Sequence, residues 1–119
     1  MKRILLVEDT RHLLEEIADV LRLEGYQIKT AINALQALER LPEFGPDLII
    51  TDLQMPWMNG FEFIQLVRKL PSHQSTPIVI LSASDLEEDR IRGKEAGADF
   101  FLQKPCTVQQ LVAAIKMFT

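Results

Sequence analysis

Four short apolar runs, spread along the whole chain, each end next to a polar side chain that can take part in chemistry. Residues 4–7 lead into Glu8 and Asp9, residues 48–51 into Asp52, residues 78–81 into Ser82, and residues 100–102, after Gln103, into Lys104. Short apolar runs between helical patterns are typical of the buried strands of a parallel sheet. Ligands of open parallel sheets bind outside the carboxyl ends of the strands. The pattern therefore predicts one crevice with three carboxylates, a hydroxyl and an ammonium group, which suits a divalent cation and a phosphoryl group.

Apolar residues at helical spacing lie between these runs, so strand and helix patterns alternate along the chain. The clear helical stripes are Leu14, Ile17, Ala18 and Leu21; Ala34, Ala37, Leu38 and Leu41; Phe63, Leu66, Val67 and Leu70; and Val108, Leu111, Val112 and Ile115. Residues 26–31 are predicted to form a further strand at a sheet edge. Five strand–helix units predict an α/β fold with right-handed crossovers and helices on both faces of a parallel sheet. Strand one should lie between strands two and three, with the acids of both tips in the crevice.

Turn and capping residues predict where the helices begin and end. Pro42 is expected to close the second helix and Pro71 the third. Ser84, followed three residues later by Glu87, resembles a capping box for a fourth helix, and Thr107 can cap the fifth. The fourth helix has the weakest amphipathic pattern in the chain, which suits a movable element.

Length, charge and cysteine content restrict the functions open to this chain. Its 119 residues, 47% of them apolar, are predicted to form one domain over residues 1–119. The net charge of −4 and the scattered basic residues argue against direct nucleic-acid binding. No apolar stretch approaches a membrane span and no signal peptide is visible, so we expect a cytoplasmic protein without a membrane partner. The single cysteine, Cys106, agrees with a reducing compartment.

The oxygen ligands of the predicted crevice suit Mg²⁺, which prefers carboxylates, carbonyls and water. Asp9 and Asp52 can each supply a carboxylate, and Glu8 can bind through a water molecule or position one. The backbone carbonyl of Gln54, just past the third strand, can add another ligand. Three acids in one crevice repel each other without a cation, so the metal would also reduce this repulsion.

Asp52 is also placed to act as a nucleophile. An aspartate held against a metal ion can attack a phosphorus atom and become an acyl phosphate. The transferring group then needs positive charge and hydrogen-bond donors at its oxygens. Lys104 and Ser82 can provide them.

With these residues in view, the chain resembles the receiver domains of two-component response regulators over essentially its whole length. The segments that carry the resemblance are LVED at 6–9, DLQMP at 52–56, MNG at 58–60, LSA at 81–83, GAD at 97–99 and KP at 104–105. The resemblance implies a flavodoxin-like doubly wound (βα)5 three-layer sandwich with strand order 2-1-3-4-5. It also implies a phosphoacceptor signalling domain, not an enzyme that acts on outside substrates.

The resemblance assigns a role to each strand-tip residue. Asp52 corresponds to the phosphoacceptor, and Glu8 and Asp9 correspond to the acidic pair that holds Mg²⁺. Ser82 corresponds to the hydroxyl that moves onto the phosphoryl group, and Lys104 to the ammonium that pairs with it.

Further positions bear on switching and on the lifetime of the phosphoryl group. Phe101 falls where the family has a rotating aromatic, although an apolar residue late in a strand is also ordinary core. Gln54 and Ser84 occupy the positions that tune loss of the phosphoryl group. The resemblance implies a cis peptide bond between Lys104 and Pro105. Trp57 either covers its loop or contacts a partner.

The resemblance implies partners on both sides of the transfer. The donor would be a histidine kinase or a histidine phosphotransfer protein. The output would pass to an effector protein or effector domain, which this sequence does not identify. A homodimer through helix four, strand five and helix five is a further expectation.

Three other classes share parts of this pattern. Aspartyl-phosphate phosphatases typically need a second aspartate two residues after the nucleophile, where this chain has Gln54. A flavodoxin-type cofactor binder would carry a loop rich in Gly, Ser or Thr after strand one, whereas residues 8–12 read EDTRH. A receiver-like interaction module that never turns over phosphate would be signalled by loss of the acceptor or the lysine, and Asp52 and Lys104 are both present.

Overall fold

A computed structural model describes residues 2–119 and contains five β-strands that alternate with five α-helices. The strands are β1 (Arg3–Val7), β2 (Gln27–Ala31), β3 (Leu48–Thr51), β4 (Ile78–Ser82) and β5 (Phe100–Gln103). The helices are α1 (Arg11–Leu23), α2 (Ala34–Phe44), α3 (Gly60–Lys69), α4 (Glu87–Ala96) and α5 (Val108–Phe118), and a short 3₁₀ turn, Pro71–His73, follows α3. All pairings in the sheet are parallel, and the strand order is β2-β1-β3-β4-β5, which confirms the predicted flavodoxin-like fold.

Three of the apolar runs form the inner strands β1, β3 and β4, which are covered on both faces, and the fourth forms the partly buried edge strand β5. One core, which includes Leu5, Val7 and Ile49, packs against α2, α3 and the end of α4. The other core, which includes Ile4 and Leu6, packs against α1 and α5. β2 lies at the predicted edge, and only Ile28 and Ala31 of its five residues are buried. None of the helices formed by residues 2–119 has the length and apolar character needed to cross a membrane.

Two predicted helix boundaries are wrong. α2 does not close at Pro42 but continues to Phe44, where Gly45 adopts a left-handed φ of 58° and donates its N–H to the Leu41 carbonyl at 3.0 Å. A proline removes a single N–H donor, so the last turn can still form around it. α3, in contrast, ends before Pro71 as predicted.

The second wrong boundary is at α4. Ser84 and Glu87 do not form a capping box, because the helix begins at Glu87 and its N-cap is Leu86. The Ser84 hydroxyl instead accepts a hydrogen bond from the Leu86 N–H at 3.2 Å. Thr107 does cap α5, in a capping box with Gln110, as predicted.

The imidazole of His73, which is buried in the turn after α3, should make stability depend on pH. Burial lowers the pKa of His73, and the nearby Arg68 guanidinium lowers it further. Below about pH 6.5 the unfolded imidazole takes up a proton while the folded one stays neutral, so the free energy of unfolding should fall as the pH drops through this range. The free energy of unfolding of the His73→Gln variant, measured with urea, should fall less than that of the wild type between about pH 7.5 and about pH 5.5. Equal losses in both proteins would remove His73 as the cause.

Candidate functional site

The strand tips are held at one level by hydrogen bonds that continue the sheet past the strands. The Glu8 N–H donates to the Ala31 carbonyl at 3.0 Å, and the Asp52 N–H donates to the Val7 carbonyl at 3.1 Å. On the other side, the Lys104 N–H donates to the Ser82 carbonyl at 2.8 Å. The backbone thus places the predicted site residues at the same edge of the sheet.

Three acids converge at this edge. One carboxylate oxygen from each of Glu8, Asp9 and Asp52 lies within 4.8 Å of the others. Glu8 is buried and Asp9 is exposed, so the cluster is open to solvent on one side. The Thr10 N–H donates to Glu8 at 3.0 Å and orients it. This hard-oxygen set with an open side fits a hydrated Mg²⁺ ion.

Lys104 joins the two more buried acids. Its Nζ donates to Glu8 Oε1 at 2.6 Å and to Asp52 Oδ2 at 3.2 Å. Burial works against the Lys104 charge, but bonding to the two carboxylates outweighs it and raises the pKa of Lys104. One ammonium offsets only one of the three carboxylate charges, so the site retains a surplus of negative charge that a divalent cation can neutralise.

Asp52 is held by its own loop as well as by Lys104. Its Oδ1 accepts the Leu53 N–H at 2.6 Å, and the Gln54 N–H lies 3.4 Å away. Burial raises the pKa of Asp52; the Lys104 ammonium opposes this rise and the Glu8 charge adds to it, leaving the pKa above the ordinary aspartate value. A partly desolvated carboxylate in a fixed orientation is a suitable nucleophile.

Ser82 and Phe101 lie near the site but have other partners in this state. The buried Ser82 hydroxyl accepts the Ser84 N–H at 3.2 Å. The half-buried Phe101 ring lies under the Arg90 guanidinium, 4.7 Å from the ring centroid. The Lys104–Pro105 bond is cis, as the resemblance implied.

Trp57 and Cys106 also lie in loops at this edge. Trp57 is 80% exposed and has a φ of 69°, a strained conformation for a residue other than glycine. Its side chain therefore does not cover the loop. Burial raises the pKa of the half-buried Cys106 thiol, with the Lys104 charge opposing, which favours the unreactive protonated form.

Sequence reasoning missed the charged residues of α4 that face the site. Asp89 and Arg92 line a cavity of about 390 Å³ together with Gln54, Ser82 and Ser84. The available signal was the missing apolar stripe over residues 87–96. A helix without such a stripe must be held by polar or cationic contacts.

Gly60→Ala should disturb both the fold and the site. A methyl group on Gly60, in the first turn of α3, would overlap the Asp52 carbonyl oxygen and approach Leu53 Cα to 2.8 Å. These are backbone atoms that cannot rotate away, so we expect a loss of about 3 kcal/mol in the free energy of unfolding. Gly93→Ala is the comparison, because its nearest clash is with a side-chain atom, the terminal carbon of Ile80 at 2.7 Å, and not with backbone. Equal losses in urea unfolding would contradict this explanation.

Comparisons with known proteins agree with this geometry. The family model described as "Response regulator receiver domain" matches residues 4–116. The phosphate regulon transcriptional regulatory protein PhoB of Klebsiella pneumoniae is 40% identical over 97% of this chain and 50% of its own length. The chain therefore spans about half the length of the curated relatives it matches.

Solved structures of other proteins share the fold of this chain. The chemotaxis protein CheY4 of Vibrio cholerae superposes with a TM-score of 0.96 at 31% identity, covering 100% of this chain and 99% of that one. A signal receiver domain of a histidine kinase from Syntrophus aciditrophicus has a TM-score of 0.91 at 32% identity, covering 99% of this chain and 89% of that one.

Proposed function

Because this chain belongs to the response regulator receiver domain family, we propose that Asp52 accepts a phosphoryl group from a partner phosphohistidine. The supporting observation is the contact of the Lys104 ammonium with both Glu8 and Asp52, with Asp9 beside them. The oriented Asp52 carboxylate, the Lys104 ammonium and the carboxylates of Glu8 and Asp9 therefore share one open crevice. These are the groups that phosphoryl transfer requires.

In the transfer, an Asp52 carboxylate oxygen attacks the phosphorus atom. The new P–O bond forms as the P–N bond of the phosphohistidine breaks, and the imidazole nitrogen keeps the electron pair. Lys104 donates to an oxygen of the transferred group, and the Ser82 hydroxyl moves toward another. A magnesium ion held by Glu8, Asp9, Asp52 and the Gln54 carbonyl would supply further positive charge to the phosphoryl oxygens.

The new charge on Asp52 would bias two states of the surface formed by α4, β5 and α5, which we call the output face. Movement of Ser82 leaves space into which the Phe101 ring can turn. An effector protein or domain, or a second copy of this chain, would bind the output face in its altered state. The donor would be a histidine kinase or a histidine phosphotransfer protein in the cytoplasm.

The domain would catalyse only its own phosphorylation and dephosphorylation. Gln54 and Ser84 flank the cavity beside Ser82 and would affect the access of water to the acyl phosphate. The amide of Gln54 can orient a water molecule but cannot act as the second acid of an aspartyl-phosphate phosphatase.

Incubation with acetyl phosphate and Mg²⁺, followed by intact mass spectrometry, tests this function. We expect one added phosphoryl group, no addition when the metal is chelated before the donor is supplied, and location of the group on Asp52 after proteolysis. A chain that binds Mg²⁺ but takes up no phosphoryl group, either from acetyl phosphate or from phosphorylated histidine donors, would favour a module that works without phosphorylation.

A further inference from the structure

A continuous set of hydrogen bonds links the Ser82 hydroxyl to α4. Ser82 Oγ accepts the backbone N–H of Ser84 at 3.2 Å. The Ser84 side chain then accepts the Leu86 N–H at 3.2 Å and donates to Asp89 Oδ2 at 2.5 Å. The first turn of α4 is therefore tied, through Ser84, to the hydroxyl at the tip of β4.

Few other contacts hold this end of α4. Leu86 and Ile91 are each about half exposed, at 51% and 50%. The guanidinium of Arg92 lies 4.2 Å from the centroid of the Phe61 ring, and that of Arg90 lies over Phe101. Such cation–π contacts at partly exposed positions are weak and can re-form after small movements.

The other end of α4 is firmly held. Gly93 and Ala96, its buried residues, lie in the second half of the helix. The Arg68 guanidinium donates to the Gly97 carbonyl at 3.0 and 2.7 Å, to the Thr76 carbonyl at 2.6 Å, and to Asp99 Oδ2 at 3.0 Å. Asp99 also accepts the Ile78 N–H at 2.9 Å, which anchors this junction to β4.

We propose that Asp89 is a positioning residue for Ser82 and the tether of α4. Through Ser84, Asp89 keeps the Ser84 N–H on the Ser82 hydroxyl and holds the first turn of α4 in the unphosphorylated arrangement. When Ser82 moves onto a phosphoryl group, this N–H loses its acceptor, and α4 turns about the Arg68–Gly97 anchor. The inference rests on the proposed phosphorylation of Asp52 and specifies how its effect reaches α4.

Linkage makes the tether testable with fluoroberyllate, a stable mimic of the acyl phosphate. If the Asp89–Ser84 hydrogen bond favours the unmodified state, it opposes binding of the mimic. Its removal should therefore increase the affinity of the protein for the mimic. Removing one charge-assisted hydrogen bond gives an expected gain of about tenfold or more in affinity for Asp89→Ala in the presence of Mg²⁺. A residue with a purely structural role would leave the affinity unchanged or weaken it.

Matched variants show whether the change in affinity comes from loss of the Asp89–Ser84 hydrogen bond. Glu88→Ala removes an exposed acid from the same turn and should bind the mimic like the wild type. Asp89→Asn keeps an acceptor for the Ser84 hydroxyl and should restore much of the wild-type affinity. Ser84→Ala cuts the same link, so the double variant with Asp89→Ala should gain no more than either single variant.

Hydrogen exchange shows where the change occurs. In the wild type, the mimic should speed amide exchange over residues 84–90 and leave residues 97–99 protected. Asp89→Ala should show the faster exchange before the mimic is added. Wild type that binds neither phosphoryl group nor mimic would overturn the proposed function. Wild type that binds the mimic, with Asp89→Ala binding no more tightly, would overturn the tether alone.

Discussion

Asp52→Asn should abolish phosphorylation by acetyl phosphate and by phosphohistidine donors. The amide lacks the carboxylate oxygen that would attack the phosphorus atom, so no acyl phosphate can form. Its carbonyl oxygen can still accept the Leu53 N–H, which preserves the loop. Intact mass spectrometry after incubation with donor and Mg²⁺ measures the loss. A stable adduct of wild-type yield on this variant would identify a different acceptor.

The same variant should keep or gain stability at neutral pH. Burial raises the pKa of Asp52, so the contribution of this group to stability is present at low pH and lost as the pH rises through the folded-state pKa. A neutral amide avoids that loss, and the free energy of unfolding should not fall. Asp19→Asn is the matched control, because its carboxylate is 75% exposed on α1 and should change neither phosphorylation nor stability.

Lys104→Met should slow phosphorylation by about 10²- to 10³-fold, the usual effect of removing one fixed donor from developing negative charge. The methionine has similar length but no charge, so Glu8 and Asp52 would face each other without their shared counter-ion. Initial rates of adduct formation at saturating Mg²⁺ measure this effect. Lys116→Met removes an exposed ammonium on α5 and should leave the rate unchanged.

This variant should also be destabilised by about 3 kcal/mol at neutral pH, because breaking one side of a buried ion pair leaves an uncompensated charge. This expected loss of stability lies at the low end of the range for broken buried ion pairs because the Lys104 side chain is 19% exposed. The Lys104 ammonium opposes the rise in the pKa of Asp52, so without it the Asp52 carboxylate should protonate more readily as the pH falls. The stability difference from wild type should therefore shrink toward acidic pH, and a constant difference would contradict the charge explanation.

Local patterns in the sequence predicted the α/β class and the acidic crevice: apolar runs of strand length, helical stripes, and polar residues directly after strands. The full strand order was implied by the resemblance to receiver domains, and the sheet confirms it. The acids at the ends of β1 and β3 converge because parallel strands in register bring their tips to one edge. The predicted cap at Thr107 is correct for the same reason, since a capping box lies within a few residues of chain.

Local patterns failed where several weak signals compete. Ser84 has the spacing of a capping residue, but its hydroxyl bonds to Asp89 and the Leu86 N–H instead. Pro42 has the residue type of a helix stop, but α2 ends at the left-handed Gly45. In both cases a competing local hydrogen bond decides the boundary, from the Ser84 hydroxyl to Asp89 and from the Gly45 N–H to the Leu41 carbonyl.

The sequence alone determined which chemical groups stand at the strand ends, because the order of apolar and polar residues is enough to build the sheet. Tertiary structure alone decided which of these groups touch. Lys104 bonds to Glu8 across 96 positions of chain, whereas the Ser82 hydroxyl bonds to Ser84. Hydrogen bonds require contact to within a few tenths of an ångström, and only the packed loops specify positions that closely.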